Sequence, residues 1–225
     1  MERDFRNKWI AVLLVLAVLA LGLAGCGTKE TGEARTKTCF IYTDGLLDDL
    51  CAIEYLAGRY DSAVILLQDP DGLAGNDYGS AAVTDKDALL RAASGWFASV
   101  TEYADGVDLS GADLYLLGPL TEFAELLRNE PSLKDAHALL MAGTSEGPDG
   151  AGEEWNAAAD EAAYRYVTET MTDLTQMTAP ACEAAFAEGG YPFQAQFLEE
   201  YISQMEAMDE NVCCYDLQAV AAACK

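Results

Sequence analysis

The chain has little positive charge. Lys and Arg together number 13 in 225 residues, against 38 Asp and Glu, and the formal net charge is −25. A nucleic-acid-binding protein uses basic side chains to contact phosphates, so this balance excludes nucleic acid as an expected partner. Histidine is nearly missing too. The single His137 falls in a predicted strand, where we expect a structural rather than a catalytic position.

The cysteines have no C-x-x-C spacing, which argues against a zinc site. Beyond the amino-terminal segment they stand at Cys39, Cys51, Cys182, Cys213, Cys214 and Cys224. Cys39 and Cys51 lie on predicted core faces, where a thiol packs as a small hydrophobe. Sequence alone does not give a disulfide pairing for the adjacent Cys213 and Cys214. The chain also lacks internal repeats and low-complexity tracts, so its length indicates one ordinary domain.

An apolar run, Ile10–Ala24, follows a basic start and ends with small residues before Cys26. This pattern resembles the signal peptide and lipobox of a bacterial lipoprotein. An uncleaved transmembrane anchor is the alternative, although the run is near the lower length limit for one. We therefore predict a signal peptide over residues 1–26, a lipidated Cys26 and a polar tether over residues 27–37. The domain would be residues 38–225, outside the cytoplasm and lipid-anchored to the bacterial cell membrane.

An acidic turn after an apolar run is the central feature of the sequence. The run Cys39–Tyr42 predicts a buried strand, and the apolar spacing after Asp48 predicts a helix. Asp44, Asp48 and Asp49 would then lie at the carboxyl end of a strand, where open α/β sheets bind ligands. Asp48 and Asp49 could simply cap the helix. Three nearby carboxylates also repel one another unless a cation holds them, and oxygen ligands suit Ca²⁺ or Mg²⁺.

Strands and helices alternate along the rest of the chain. Further buried strands are predicted over Ser62–Gln68, Ala112–Leu117 and Ala136–Ala142, with a short strand-like piece over Asn211–Tyr215. The predicted helices are Thr84–Tyr103, Thr121–Leu127, Asp160–Tyr166, Cys182–Glu188, Phe193–Met208 and Asp216–Ala223. The stretch Thr168–Ala181 has no clear pattern. This order predicts an α/β fold with a mainly parallel, Rossmann-like sheet flanked by helices.

Polar residues follow several of these predicted strands. Thr121 comes after the third strand, a loop with Glu154 and Asn156 comes after the fourth, and Asp216 comes after the terminal piece. Because the carboxyl ends of parallel strands lie along one edge of a sheet, these groups and the acidic turn could converge in one crevice. Taken singly, Glu154 as a surface charge or Asp216 as a helix cap is the simpler interpretation.

The same segments resemble the motifs of the inosine-uridine-type nucleoside hydrolases, in the family's order. The matching segments are Thr43–Asp49 (T-D-x-x-x-D-D), Gly75-Asn76, Leu117–Thr121 (L-G-P-L-T), Glu154–Asn156 (E-W-N), Asp160–Ala163 (D-E-A-A) and Tyr215–Ala221 (Y-D-L-Q-A-V-A). They are spread over most of the chain from Thr38 to Lys225. The resemblance implies a truncated nucleoside-hydrolase-like fold. It also implies hydrolysis of the N-glycosidic bond of ribonucleosides to ribose and free base, in purine or pyrimidine salvage.

The resemblance also implies a site. A Ca²⁺ ion would be held by the carboxylates of Asp44, Asp49 and Asp216 and by the main-chain carbonyl of Thr121. The sugar would be bound by Asp48, Asn76, Glu154 and Asn156. Asp44 would take a proton from the attacking water, and Tyr215 stands where the family has a histidine linked to protonation of the leaving base. A nucleoside or ribose is thus the implied ligand, and the family's members are commonly homo-oligomers.

Several positions depart from the family's pattern, among them Glu122 in place of an asparagine and Gly45-Leu46 in place of a Pro-Gly turn. Tyr42 replaces its first aspartate, Pro148 replaces a sugar-binding asparagine, and Tyr215 replaces the histidine. These replacements leave three functions open. The first is a Ca²⁺-dependent nucleoside hydrolase, and the second is a catalytically degenerate lipoprotein that binds nucleoside or ribose on the same scaffold. The third is a structural domain that binds Ca²⁺ without a sugar ligand.

Overall fold

The computed structural model describes residues 38–68, 85–141 and 155–224. Its described part contains a six-stranded sheet with strands β1 Thr38–Thr43, β2 Ser62–Leu67, β3 Ser99–Glu102, β4 Asp113–Leu116, β5 His137–Met141 and β6 Asp173–Met177. Every neighbouring pair of these strands is parallel. Helices cover both faces of the sheet, so the predicted α/β fold with a parallel, Rossmann-like sheet is confirmed.

The strands are arranged in the order β3-β2-β1-β4-β5-β6. Along the chain, β2 and β3 are added in turn on one side of β1, and β4, β5 and β6 are then added in turn on the other side. In this arrangement β1 pairs with β2 on one edge, where Phe40 is opposite Val64, and with β4 on the other, where Tyr42 is opposite Leu116. A reversal of this kind opens a crevice beyond the carboxyl ends of the two central strands, β1 and β4.

Eight α-helices lie in the described residues. They are α1 Leu47–Ala57, α2 Lys86–Trp96, α3 Thr121–Asn129, α4 Trp155–Ala159, α5 Glu161–Thr170, α6 Ala179–Gly189, α7 Leu198–Met208 and α8 Tyr215–Ala223. A 3₁₀ helix, Pro131–Asp135, precedes β5. Of the acids of the predicted site, Asp48 and Asp49 fall in the first turn of α1 and Asp216 in the first turn of α8, whereas Asp44 lies in the turn between β1 and α1.

Two apolar cores form, one on each face of the sheet. Cys39 and Ile41 of β1 belong to the core that contains α1 and α8, whereas Phe40 and Tyr42 belong to the core formed with α3 and α5. The two-residue period of a strand thus divides one apolar run between both layers. Because β1 is buried on both sides, as expected for a central parallel strand, it is a rigid support for the acidic turn at its end.

Two predictions about the elements are wrong. The helix predicted over Thr84–Tyr103 ends at Trp96, and Ser99–Glu102 forms the edge strand β3 instead. These mostly exposed residues pair with β2, so tertiary pairing decides their conformation. The piece predicted as strand-like over Asn211–Tyr215 is not a strand, because α8 begins at its end. The stretch Thr168–Ala181, which has no clear pattern, contains β6.

Several predicted features lie outside the described residues. These are the signal peptide and lipobox over residues 1–26 with Cys26, the tether over residues 27–37, Gly75-Asn76, Pro148 and Glu154. They stay predictions from the sequence. Among the residues that are described, no helix has the length and apolarity needed to cross a membrane.

Candidate metal centre

A cleft of about 350 Å³ opens beyond the carboxyl ends of the central strands. Its described lining consists of Asp44, Leu46, Asp48, Asp49, Leu117, Met141, Trp155, Asn156, Ala179, Tyr215 and Asp216. Every predicted site residue that the structure describes lines this cleft, except Thr121. None of these lining side chains is basic. The cleft therefore concentrates negative charge at the place where the strand order reverses.

The turn after β1 fixes Asp44 in the wall of the cleft. Gly45 has a φ of 80°, a left-handed conformation that glycine adopts without strain. After β4, Gly118 packs directly on Asp44. A Cβ at Gly118 would lie 3.0 Å from the Asp44 backbone nitrogen and 3.2 Å from the Asp44 Cβ. Glycine is needed for so close an approach, so the segments after β1 and β4 lock together and leave Asp44 only 3% exposed.

Asp49, in the first turn of α1, ties the acidic turn to the helix. Its Oδ1 accepts a hydrogen bond from the Thr43 hydroxyl (2.5 Å), and its Oδ2 accepts one from the Leu46 amide (3.2 Å). The Gly45 amide in turn donates to the Thr43 hydroxyl oxygen (3.0 Å). Asp49 is therefore an acceptor for the helix start and, at the same time, presents its carboxylate to the neighbouring acids.

Asp48, Asp49 and Asp216 form a cluster of three carboxylates, which we call the acidic cluster. One oxygen from each lies within 4.8 Å of the others. Asp216 reaches it from the first turn of α8, because α8 and α1 share one core. Asp44 adjoins the acidic cluster through a hydrogen bond with Asp49. Asp48, predicted as a sugar ligand, thus belongs to the group that could hold a metal ion.

Burial makes the ionised forms of these acids unfavourable. It raises the pKa of Asp44 from 3.8 to about 7, although a hydrogen bond with Asp49 opposes the change. It also raises the pKa of Asp48 from 3.8 to about 6. The pKa of Asp49 is raised well above its ordinary value, first by burial and then by the charges of Asp44, Asp216 and Asp48. The metal-free acids therefore keep their protons to a higher pH than free aspartate does, and a bound cation would favour their ionised forms.

The ligand chemistry of the cleft fits a hard divalent cation. All four acids offer oxygen atoms, and Asp44 Oδ1 is buried without a hydrogen-bond partner in the part of the chain that the structure describes. A buried polar atom without a partner is costly, and a cation would satisfy it. Oxygen ligands favour ions such as Ca²⁺ or Mg²⁺ over soft metals. The buried acids could therefore hold a metal ion.

Asn156 is fixed in the cleft by the ends of two strands. Its Nδ2 donates to the main-chain carbonyls of Leu117, after β4, and Met141, in β5, both at 2.9 Å. Both amide hydrogens are used in this way, so the side-chain carbonyl oxygen is the group that can accept from a ligand. Trp155, beside it, is 40% exposed and contributes an aromatic surface. A polar acceptor next to an apolar surface is typical of a small-molecule site.

Thr121 lies outside the cleft lining. It begins α3, and its hydroxyl donates to Asp160 Oδ2 at 2.9 Å. Asp160 caps α5 by accepting, through its Oδ1, from the Ala163 amide at 2.9 Å. The Thr121 side chain therefore connects the starts of two helices, and a role for its main-chain carbonyl as a metal ligand stays a prediction.

Tyr215 lines the cleft, but its hydroxyl is held by a residue that sequence reasoning missed. The phenol donates to Glu183 Oε1 of α6 (2.9 Å), and the same oxygen accepts from Asn211 Nδ2 (3.0 Å). Burial, followed by this hydrogen bond and the charge of Glu183, raises the pKa of Tyr215. In the sequence Glu183 is an ordinary charge on a predicted helix, so no local signal marks it.

Tyr42 places a buried hydroxyl where the family has an acid. This hydroxyl lies within hydrogen-bond distance of the Pro119 carbonyl (2.5 Å) and of the Gln68 side-chain carbonyl. Gln68 follows β2 and Pro119 follows β4, so one side chain connects three strand ends. Gln68 is only 1% exposed. A glutamine at the end of an apolar strand is the sequence signal that could have identified this contact.

The chain was compared with protein-family models, with curated proteins and with solved structures, and no significant match was found in any of the three. Membership of the nucleoside hydrolases therefore stays a prediction from the motifs. The structure shows a parallel α/β domain with a buried acidic cluster that could hold a metal ion, placed where the order of the strands reverses.

Proposed function

We propose that this chain is a Ca²⁺-dependent nucleoside hydrolase, which cleaves the N-glycosidic bond of ribonucleosides to give ribose and a free base. The observation that carries the proposal is the convergence of Asp44, Asp48, Asp49, Asn156 and Asp216 in one cleft. These are positions at which the chain resembles the family, and they come from three separate regions of the sequence. A parallel sheet brings strand-end residues to one edge in any case, so what supports the proposal is that the residues meeting there are the acids and the amide that the resemblance assigns to metal and sugar.

Ca²⁺ is the cation that the proposal assigns to the acidic cluster. Asp48, Asp49 and Asp216 would hold it together with Asp44, whose buried Oδ1 has no other partner among the described residues. Ca²⁺ takes roughly six to eight oxygen ligands, so main-chain carbonyls, sugar hydroxyls and water would complete its coordination. When bound, the ion would polarise a water molecule and orient the sugar hydroxyls. The four acids would then be ionised at neutral pH.

The protein's own groups would supply the remaining chemistry. Asp44, ionised beside the bound cation, would accept a proton from the attacking water. The surrounding carboxylates would stabilise the cationic, oxocarbenium-like sugar that forms as the base departs. Asn156 would accept a hydrogen bond from a sugar hydroxyl through its carbonyl oxygen, since its nitrogen is engaged by the strand ends. Trp155 would provide apolar contact.

A second candidate function is binding of a nucleoside or ribose without turnover. Two contacts favour it. The Tyr215 hydroxyl donates to Glu183 instead of being offered to a leaving base. Tyr42 supplies a hydroxyl bonded to neighbouring carbonyls where an acid would otherwise support the metal ligands. Both contacts reduce the capacity for proton transfer while leaving the acidic cluster and Asn156 available to bind a sugar.

The proposed setting is the outer face of a bacterial membrane. The predicted signal peptide over residues 1–26 would be removed and the domain anchored through lipid on Cys26. Extracellular Ca²⁺ sites work at about millimolar ion concentrations, so even a weak site would be filled there. The substrate would be exported or environmental nucleosides, and the protein could act as a homo-oligomer.

The test is release of free ribose from a panel of purine and pyrimidine nucleosides. The purified full-length protein is assayed in detergent, with Ca²⁺ and with a chelator. Two variants accompany it: Asp44→Ala, and Asp87→Ala as the matched control, because Asp87 is an exposed aspartate in the first turn of α2. We expect ribose release that needs Ca²⁺, survives in Asp87→Ala and is lost in Asp44→Ala.

The other outcomes separate the two functions. Ca²⁺-dependent thermal stabilisation by ribose or a nucleoside, without ribose release, would replace the hydrolase with the binding protein. Neither release nor stabilisation would overturn both functions and leave the fold with its acidic cluster.

A further inference from the structure

Two buried cysteines from distant parts of the chain meet behind the acidic cluster. Cys51 lies in α1, and Cys214 is the residue that precedes α8. The Cys214 sulfur lies 4.0 Å from the main-chain carbonyl of Asp48, and Cys51 follows Asp48 by three residues, on the same face of α1. Both are free thiols in this structure, and the pKa of Cys214 is raised first by burial and then by the neighbouring Cys51 thiol. Neither side chain is exposed to solvent.

The other cysteines make different contacts. Cys39 Sγ donates to the Ser62 carbonyl (3.8 Å), and Cys182 Sγ lies 3.8 Å from Met141 Sδ. Cys224 Sγ lies 3.4 Å from the Tyr115 hydroxyl. Cys213, next to Cys214 in the sequence, is also fully buried, and its main-chain carbonyl accepts a hydrogen bond from the Tyr201 hydroxyl of α7 (2.6 Å). The adjacent pair is therefore not equivalent, because it is Cys214 that faces α1.

We propose that Cys51 and Cys214 form a disulfide when the protein reacts with a disulfide oxidant. This bond would covalently link the start of α8 to α1, the two helices that carry the acidic cluster. Asp48 and Asp49 lie within one turn of Cys51 on α1, and Asp216 follows Cys214 by two residues. In the metal-free protein the charges of these acids repel one another across the contact between α1 and α8. A covalent bond at this contact holds the carboxylates at the spacing that a cation requires.

The reaction balances with glutathione disulfide as the oxidant. One cysteine thiolate attacks a sulfur of glutathione disulfide, which forms a mixed disulfide and releases one glutathione thiolate. The second cysteine attacks the protein sulfur of that mixed disulfide and releases the second glutathione. The two protons of the cysteine thiols pass to the two glutathione thiolates. Because both sulfurs are buried, the oxidant reaches them during folding or through local opening of α8.

The bond has two measurable consequences. It connects positions more than 160 residues apart, and cross-links that close long loops lower the entropy of the unfolded chain most. Oxidation should therefore raise the unfolding temperature by several degrees. It should also raise the affinity for Ca²⁺ several-fold, because the ligands are held in place before the ion binds.

The experiment maps the bond in the full-length protein. The protein is equilibrated in glutathione disulfide, free thiols are blocked with N-ethylmaleimide, and the non-reduced digest is examined by mass spectrometry. We expect a cross-link between the peptide with Cys51 and the peptide with Cys213 and Cys214. The matched variants assign the partner: Cys213→Ser should keep the cross-link, and Cys214→Ser should lose it.

Three results would overturn the proposal. The first is a wild-type protein in which the blocking reagent labels Cys51 and Cys214 fully after oxidation. The second is a cross-link that persists in Cys214→Ser, and the third is a cross-linked protein whose unfolding temperature does not fall when a reductant is added. The first and third measurements use only the wild-type chain, so they decide the matter even if a variant fails to fold.

Discussion

Replacing Asp44 with asparagine gives a stability change whose dependence on pH follows from the structure. Burial raises the pKa of Asp44 from 3.8 to about 7 in the folded, metal-free protein. The folded state therefore binds this proton more tightly than the unfolded chain does, and stability falls as pH rises through this interval. At about 1.4 kcal/mol per pH unit, the interval from 3.8 to about 7 corresponds to about 4 kcal/mol. Asparagine has the same shape and does not ionise, so Asp44→Asn escapes this loss.

The assay is urea unfolding of the metal-free protein at about pH 5 and about pH 8. At the lower pH, Asp44 is protonated in the folded wild type, and at the higher pH it is ionised. We expect Asp44→Asn to gain about 3 kcal/mol relative to wild type between the two pH values. Asp87→Asn changes an exposed aspartate in the first turn of α2, and its difference from wild type should stay constant.

Asp48, Asp49 and Asp216 titrate in both proteins, and loss of the Asp44 charge also lowers the pKa of Asp49 in the variant, which adds to the expected gain at the higher pH. Added Ca²⁺ should reverse the order at the higher pH, since the wild type gains a bound ion and the variant loses one of its ligands. A difference between Asp44→Asn and wild type that is the same at both pH values would refute the reasoning. So would a wild type that becomes the more stable of the two as pH rises without metal.

Three further substitutions test the supports of the cleft. Tyr42→Phe removes the donor shared by the buried Gln68 and a proline carbonyl, and urea unfolding should show a loss of about 1–3 kcal/mol; an unchanged midpoint would contradict this. Gly118→Ala places a Cβ 3.0 Å from the Asp44 backbone nitrogen. Urea unfolding should show lower stability, and Ca²⁺ titration should show weaker binding. Normal Ca²⁺ binding would show that the close contact of Gly118 with Asp44 is not needed. Asn156→Ala leaves two strand-end carbonyls without their donor. Calorimetry should show weaker ribose binding with Ca²⁺ binding retained, whereas equal loss of both would indicate general unfolding.

The sequence predicted the central strands because their apolar runs are long and buried on both sides. Cys39–Tyr42 and Ala136–Ala142 are of this kind, and both coincide with observed strands. The edge strands have no such signal. Residues of β3 and β6 are largely exposed and mix polar with apolar side chains. Their conformation depends on pairing with β2 and β5, and that information is not contained in the local sequence.

The residues of the candidate site likewise fall into those that the sequence could place and those that it could not. Asp44 and Asp216 could be placed in one cleft because each follows or begins an element at the carboxyl edge of the sheet. The acidic turn alone placed Asp48 among carboxylates that a cation could hold, whereas the resemblance gave it to the sugar; its meeting with Asp216 depends on how the first turns of α1 and α8 pack. Glu183 could not be found either, because it reaches the cleft through the Tyr215 hydroxyl, a contact between two distant segments. Local patterns thus locate the groups on elements, and tertiary packing decides which of them touch.

Titration calorimetry of Ca²⁺ into the metal-free protein tests whether the acidic cluster holds a divalent cation. We expect saturable binding of a single ion per chain. We also expect that Asp216→Asn weakens binding by about tenfold or more, because one ligand oxygen loses its charge, whereas Asp87→Asn leaves it unchanged. Absence of binding at millimolar Ca²⁺, or equal binding by Asp216→Asn and wild type, would contradict the claim.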